Sequence, residues 1–101
     1  MNISVQVKDN ILLLNIDAGD VTSANFPQYA AQLRQAIINN YTPGVNLAAI
    51  VFKGSAWVEA ATVCIVQMLV PTVGIVQGNN IIVVSTTTPE YAPGMVIPLP
   101  K

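Results

Sequence analysis

LAAIVFKGSAWVEAATVCIVQMLVPTVGIV, residues 47–76, decides the fold. Leu47 to Phe52 and Thr72 to Val76 are short apolar runs of strand length, and the segment between them has the composition of a helix. Strand, helix and strand in that order predict a right-handed βαβ crossover. The middle carries only Glu59, Thr62 and Gln67 as polar interruptions, and from Trp57 to the stop at Pro71 it is shorter than the roughly 20 residues a membrane span needs. It therefore reads as a crossover helix. At 100° per residue Glu59, Thr62 and Gln67 share one sector with Val63, Val66 and Val70, so the sector expected to meet water is half valine. The expectation is that a second chain covers this valine stripe, making a homodimer through the helix or the adjacent sheet edge.

Working toward the N-terminus, Phe26, Tyr29, Ala30, Leu33 and Ile37 recur at three- and four-residue spacing, which predicts an amphipathic helix. Thr22, Ser23 or Asn25 can cap it, Pro27 fits its first turn, and Asn39-Asn40 before Thr42-Pro43-Gly44 marks its end. Before it, Ile3, Val5 and Val7 alternate with polar residues, Lys8-Asp9-Asn10 supplies a turn, and Ile11 to Ile16 follows as a second extended run. That is a hairpin. Toward the C-terminus, Gly78-Asn79-Asn80 separates Thr72–Val76 from Ile81–Ser85 and predicts another. Pro89, Pro93, Pro98 and Pro100 rule helix out of the tail, which is expected to lie extended over the domain. The whole reads as one α/β domain, residues 1–101, of order ββαβαββ, with a mixed sheet and two helices.

Composition limits what such a domain can do. The chain has 101 residues, of which 52% are hydrophobic and 9% charged, and a net charge of −1. The charged fraction lies far below the usual quarter, so self-association is favoured over binding to polyanions, DNA included, and any anion site must be local. The N-terminal stretch lacks the charged and apolar blocks of a secretory signal, which points to a cytoplasmic protein. Cys64 is the single cysteine and reads as a buried spectator. There is no histidine, so the commonest general acid/base is missing, and neither a zinc site nor another metal or cofactor site is expected.

The chemistry that remains sits at strand ends. Lys53-Gly54-Ser55 lies where a strand passes into a helix. Glycine permits close approach, serine can cap, the first helical N–H groups lack intrahelical partners, and lysine adds a charge, so a phosphate can be received there. Ser85-Thr86-Thr87-Thr88 follows another strand and offers hydroxyls. The candidate ligand-binding residues are Lys53, Gly54, Ser55, Trp57, Ser85 and Thr86, although Trp57 in a first helical turn reads first as a packing residue. Glu59 and Gln67 can serve as site residues or hydrogen-bond across the dimer seam, and the seam is the preferred reading. Asp9, Asp17, Asp20 and Glu90 are scattered over turns and form no carboxylate pair by spacing.

Residues 44–97 resemble the small CRISPR-associated ring-nuclease family of type III systems, relatives of the Rossmann-like domains that sense cyclic oligoadenylate. In that family a strand enters a turn of the form Arg-Gly-Pro-x-Trp, followed by a helix, a Val-rich strand, a turn carrying Asp, a second Val-rich strand ending in Ser, and a Gly-x-Val-Ile ending. Here the run is Lys53-Gly54-Ser55-Ala56-Trp57, the helix, Val73-Gly74-Ile75-Val76, Gln77-Gly78-Asn79-Asn80, Ile81-Ile82-Val83-Val84-Ser85 and Gly94-Met95-Val96-Ile97. The resemblance implies a Rossmann-like fold, dimers, and manganese-assisted RNA trimming or cleavage of cyclic tetra-adenylate. This chain departs from the pattern at the catalytic set. Cys64 and Gln67 stand near the histidine positions and Gln77 at the aspartate. Three functions follow as expectations. The first is non-catalytic binding of cyclic oligoadenylate or RNA ends by a homodimer, the second a structural or regulatory assembly subunit, and the third a metal-independent ring nuclease.

Overall fold

The computed structural model describes residues 1–100; Lys101 lies outside the described residues. The elements are β1 (Asn2–Lys8), β2 (Ile11–Asp17), α1 (Phe26–Asn40), β3 (Leu47–Lys53), α2 (Ala56–Gln67), β4 (Thr72–Gln77), β5 (Asn80–Thr86) and β6 (Val96–Pro98). They build one mixed sheet whose strands lie side by side in sequence order, β1 to β6. The expected α/β class and the elements through β5 are all present. The order differs from ββαβαββ by one strand, because the Pro-rich tail supplies β6. It pairs antiparallel with β5, Ile81 opposite Ile97, and the pairing is flanked by Gly94 N–H to Val83 C=O (2.7 Å), Val83 N–H to Met95 C=O (2.9 Å) and Leu99 N–H to Asn79 C=O (2.9 Å). Proline is tolerated there because β6 is an edge strand.

Both hairpin expectations hold. Asp9 and Asn10 have φ of 53° and 63°, the two positive values that a type I′ turn requires, and the turn closes on the Lys8–Ile11 pair. Gly78-Asn79 joins β4 to β5, with Gln77 opposite Asn80. β2, β3 and β4 are parallel, joined by the two helical crossovers. Two successive right-handed crossovers that advance in one direction place both helices on one face. One buried cluster joins Leu12, Leu14, Ile16, Ala48, Ile50 and Val73 of the sheet to Tyr29, Leu33 and Ile37 of α1 and Val58, Ile65 and Val66 of α2. The opposite face is covered only by the tail, where Tyr91, Ile97 and Leu99 pack on Leu47, Ala49 and Ile81. The extended tail was expected, and covering this second core is what it does.

α1 forms where its periodicity places it. Pro27 is in its first turn and Asn25 is its N-cap. Asn25 does not cap through its own side chain; its Oδ1 accepts from Thr22 N–H (2.7 Å) and its Nδ2 donates to Asp20 C=O (3.1 Å), tying the preceding loop. α2 differs from the sequence reading in its roll. Val66 and Val70 are 0% and 1% exposed, and Val63 is half-buried. The valine stripe is therefore filled within the chain and is not a seam. The cause is Thr62. It was grouped with the solvent side because it is polar, yet it is fully buried, donating to Val58 C=O (2.7 Å) and lying 2.6 Å from the Tyr29 hydroxyl. No helix among the described residues is long and apolar enough to cross a membrane.

Candidate functional site

The Lys53-Gly54-Ser55 turn sits at the C-terminal end of β3 and opens α2. It is stitched to the loop after β2 by Ala18 N–H to Lys53 C=O (2.7 Å). Gly54 is needed for that approach, since a Cβ there would lie 3.0 Å from the Phe52 ring and 3.1 Å from the Ala18 carbonyl oxygen. Ser55 is the N-cap without a side-chain capping bond, and the first intrahelical bond runs from Glu59 N–H to Ser55 C=O (3.1 Å). The N–H groups of Ala56, Trp57 and Val58 thus have no helical partner. These are the anion-receiving features the sequence offers.

The electrostatics beside the turn are less favourable to an anion. Lys53 shares an open hollow of about 350 Å³ with Met1, Asn2, Asp17, Gly19 and Asp20. Asp20 accepts the Met1 ammonium at 2.6 Å, which holds its carboxyl below the usual value of 3.8. Asp17 faces Lys53 in the β2–β3 register. One lysine therefore stands among two carboxylates, one of them already paired, and the hollow carries no surplus of positive charge.

Ser85 and Thr86 lie at the other end of the sheet. β5 runs antiparallel to β4, so Thr86 pairs with Thr72, which pairs with Leu47 at the start of β3. Lys53 is a full strand away, about 20 Å. The Thr86 hydroxyl is engaged with Thr72 (2.8 Å) and the Thr88 backbone N–H (3.2 Å). Of the six candidate residues, the fold brings together Lys53, Gly54, Ser55 and Trp57 and leaves Ser85 and Thr86 remote. Trp57 packs by one side on Phe26, ring centroids 5.6 Å apart, while remaining 48% exposed.

Other assignments change with the roll of α2. Gln67 turns inward along the chain, its Nε2 donating to the carbonyls of Val70 (3.3 Å) and Pro71 (2.7 Å), so it pins the α2–β4 connection rather than crossing a seam. Glu59 is half-buried and borders an open groove with Ala56, Ala60, Val63, Ile75 and Val84. Cys64 is exposed, not buried. Among the described residues no group of His, Cys, Asp and Glu is placed to hold a metal. Asp17 and Asp20, three residues apart in the sequence, do line one hollow.

The surface that sequence reasoning missed is the outer side of α2. Trp57, Ala60, Cys64 and Met68 follow at three- and four-residue spacing and are all exposed, Met68 by 79%. No charged residue lies among them. The signal was present in the spacing, but nearly every residue of α2 is apolar and periodicity alone could not choose which stripe faces out. In comparisons with known proteins, no family model matches this chain and no curated protein matches it.

Proposed function

We propose that this chain acts as an assembly module, a structural or regulatory subunit that pairs with a second copy of itself through the outer face of α2. The observation that carries this reading is the uncharged exposed stripe Trp57, Ala60, Cys64, Met68 on a helix that a monomer would present to water. The stripe is self-complementary. Antiparallel pairing about a dyad between Ala61 and Cys64 sets Trp57 against Met68 of the second copy, a favourable sulfur–aromatic contact. The small Ala60, Ala61 and Cys64 side chains at the centre let the helices approach closely. A net charge of −1 offers little repulsion between copies. Light scattering at micromolar concentration is expected to give a dimer or larger species, and Met68→Glu to lower the mass. A monomeric wild type sinks the proposal.

A second reading is favoured by the turn itself. The free N–H groups at the start of α2, the uncommitted Ser55 hydroxyl and the Lys53 ammonium support binding of cyclic oligoadenylate or an RNA end, as in a divergent, Rossmann-like relative of the CRISPR-associated ring nucleases. Asp17 and Asp20 beside Lys53 weigh against it, and Ser85 and Thr86 of the same copy stand too far off to share one phosphate. Titration calorimetry with cyclic tetra-adenylate and linear oligoadenylate tests it. Lys53→Ala should weaken any binding by about 1–3 kcal/mol per site; no heat from the unmutated protein ends this reading and leaves the first untouched.

A further inference from the structure

β1 is an edge strand of seven residues with no bulge and no proline, and its only charged residue, Lys8, is at its end. Edges are usually blunted by such devices, and this one is not. Its open hydrogen-bonding groups can be identified. The Asp9-Asn10 turn is a two-residue loop with both φ positive, so its closing pair, Lys8 and Ile11, exchanges both backbone bonds. Alternation along an antiparallel ladder then assigns Lys8, Gln6, Ser4 and Asn2 to bonds with β2. The N–H and C=O groups of Ile3, Val5 and Val7 point away from the sheet.

We infer that β1 is a second self-assembly edge, pairing antiparallel with β1 of another copy about a dyad at Val5 so that two sheets join into one. In that register Val5 faces Val5, and Ile3 faces Val7 of the second copy, each as a bonded pair. All open groups of Ile3, Val5 and Val7 are satisfied at once. A dyad at Ser4 or Gln6 strands the groups of Val7 or Ile3. On the face away from the helices Ser4 meets the second copy's Gln6, two uncharged hydrogen-bonding side chains.

The charges agree with the same register. Lys8 lies opposite the second copy's Asn2, whose own neighbour across the ladder is Asp17. Lys8 and that Asp17 share a face two strand spacings apart, about 10 Å, within the combined reach of their side chains. Lys8 has no ion pair within its own chain among the described residues. On the helix side, Val7 of β1 is an exposed hydrophobic residue, and the pairing sets it against Ile3 of the second copy. α2 packs over β4 and β5, well away from β1, so the edge does not depend on the α2 contact proposed above, and a protein using both forms tetramers or longer arrays.

Hydrogen exchange read residue by residue on the full chain, at high and low concentration, tests the inference. The expected result is concentration-dependent protection of the Ile3, Val5 and Val7 amides, beside Ser4, Gln6 and Lys8 amides protected at both concentrations by β2. Ser4→Lys combined with Gln6→Lys sets lysines opposite one another across the dyad and should remove protection from Ile3, Val5 and Val7 alone while lowering the mass. Should that variant lose its fold, Val5→Pro removes an N–H that β2 does not use and takes its place. Unprotected Ile3, Val5 and Val7 amides in the wild type at high concentration, with Ser4 and Gln6 protected, overturn the inference. Met68→Glu separates the two contacts: protection in β1 that survives it, with no change in mass, keeps the β1 edge and sinks the α2 pairing.

Discussion

The Tyr29 hydroxyl lies 2.6 Å from Thr62 Oγ1 in the buried contact between α1 and α2. Thr62 gives its single hydrogen to Val58 C=O at 2.7 Å, so the tyrosine O–H is the donor to Thr62. This bond lies between the two helices on the buried side of α2, the same side that carries Val58 and Val66, while Met68 is on the surface. Thr62→Val leaves the phenol buried without an acceptor and should cost about 1–3 kcal/mol, whereas Tyr29→Phe leaves Thr62 still bonded to Val58 and should cost about 1 kcal/mol. Urea unfolding of the two variants checks the order.

Burial pushes the Tyr29 phenol above its ordinary value of 10.0. The folded phenol therefore keeps its proton at a pH where the unfolded one has lost it. Its contribution to stability is complete below pH 10 and is lost as pH rises beyond that value. Unfolding measured from pH 8 upward should show a fall above pH 10 that is smaller in Tyr29→Phe than in the wild type.

Gly74 in β4 has no room for a side chain against β5. An added Cβ would overlap Ile81 Cγ2 and lie 3.1 Å from the Ile82 carbonyl oxygen, beside the register shift at Val73/Gly74. Gly74→Ala should cost about 1–3 kcal/mol by overpacking. Gly78→Ala meets no atom within 4 Å, but the residue has φ of +63°, so it should cost about 1 kcal/mol through backbone strain alone. Thermal unfolding of both variants separates the two causes.

The roll of α2 separates two substitutions only two residues apart. Val66→Glu buries an uncompensated charge and should destabilise the fold by about 3–5 kcal/mol. Met68→Glu adds a solvated charge at an exposed site and should leave unfolding within about 0.5 kcal/mol of the wild-type protomer while lowering the assembly mass. Circular dichroism with light scattering on each variant distinguishes loss of fold from loss of association.

What the sequence made legible was local. Asp9-Asn10 and Gly78-Asn79 announce their hairpins because two-residue turns need residues that accept positive φ, and Tyr29, Leu33 and Ile37 announce α1 because its other side is polar. α2 offers no such contrast, and Thr62 misled because its partner, Tyr29, is remote in sequence and on another helix. The sixth strand was hidden by prolines that an edge tolerates. The candidate site failed for a different reason. Lys53 and Ser85 both end strands, but β3 is parallel to β4 while β5 is antiparallel to it, so those residues lie at opposite ends of the strands. The crossover through α2 and the hairpin at Gly78-Asn79 already imply these directions, so the separation was legible in the sequence, and only residue type groups Ser85 with Lys53.

Cys64 gives the assembly account its most direct test, because it is the only cysteine, is exposed, and lies within the stripe proposed to pair. A short bismaleimide added to the native protein at micromolar concentration should link Cys64 to Cys64 of a second copy in high yield, and Met68→Glu should abolish the link without altering reaction of the thiol with a monofunctional maleimide. Full labelling by the monofunctional reagent with no cross-linked dimer in the wild type would contradict the account.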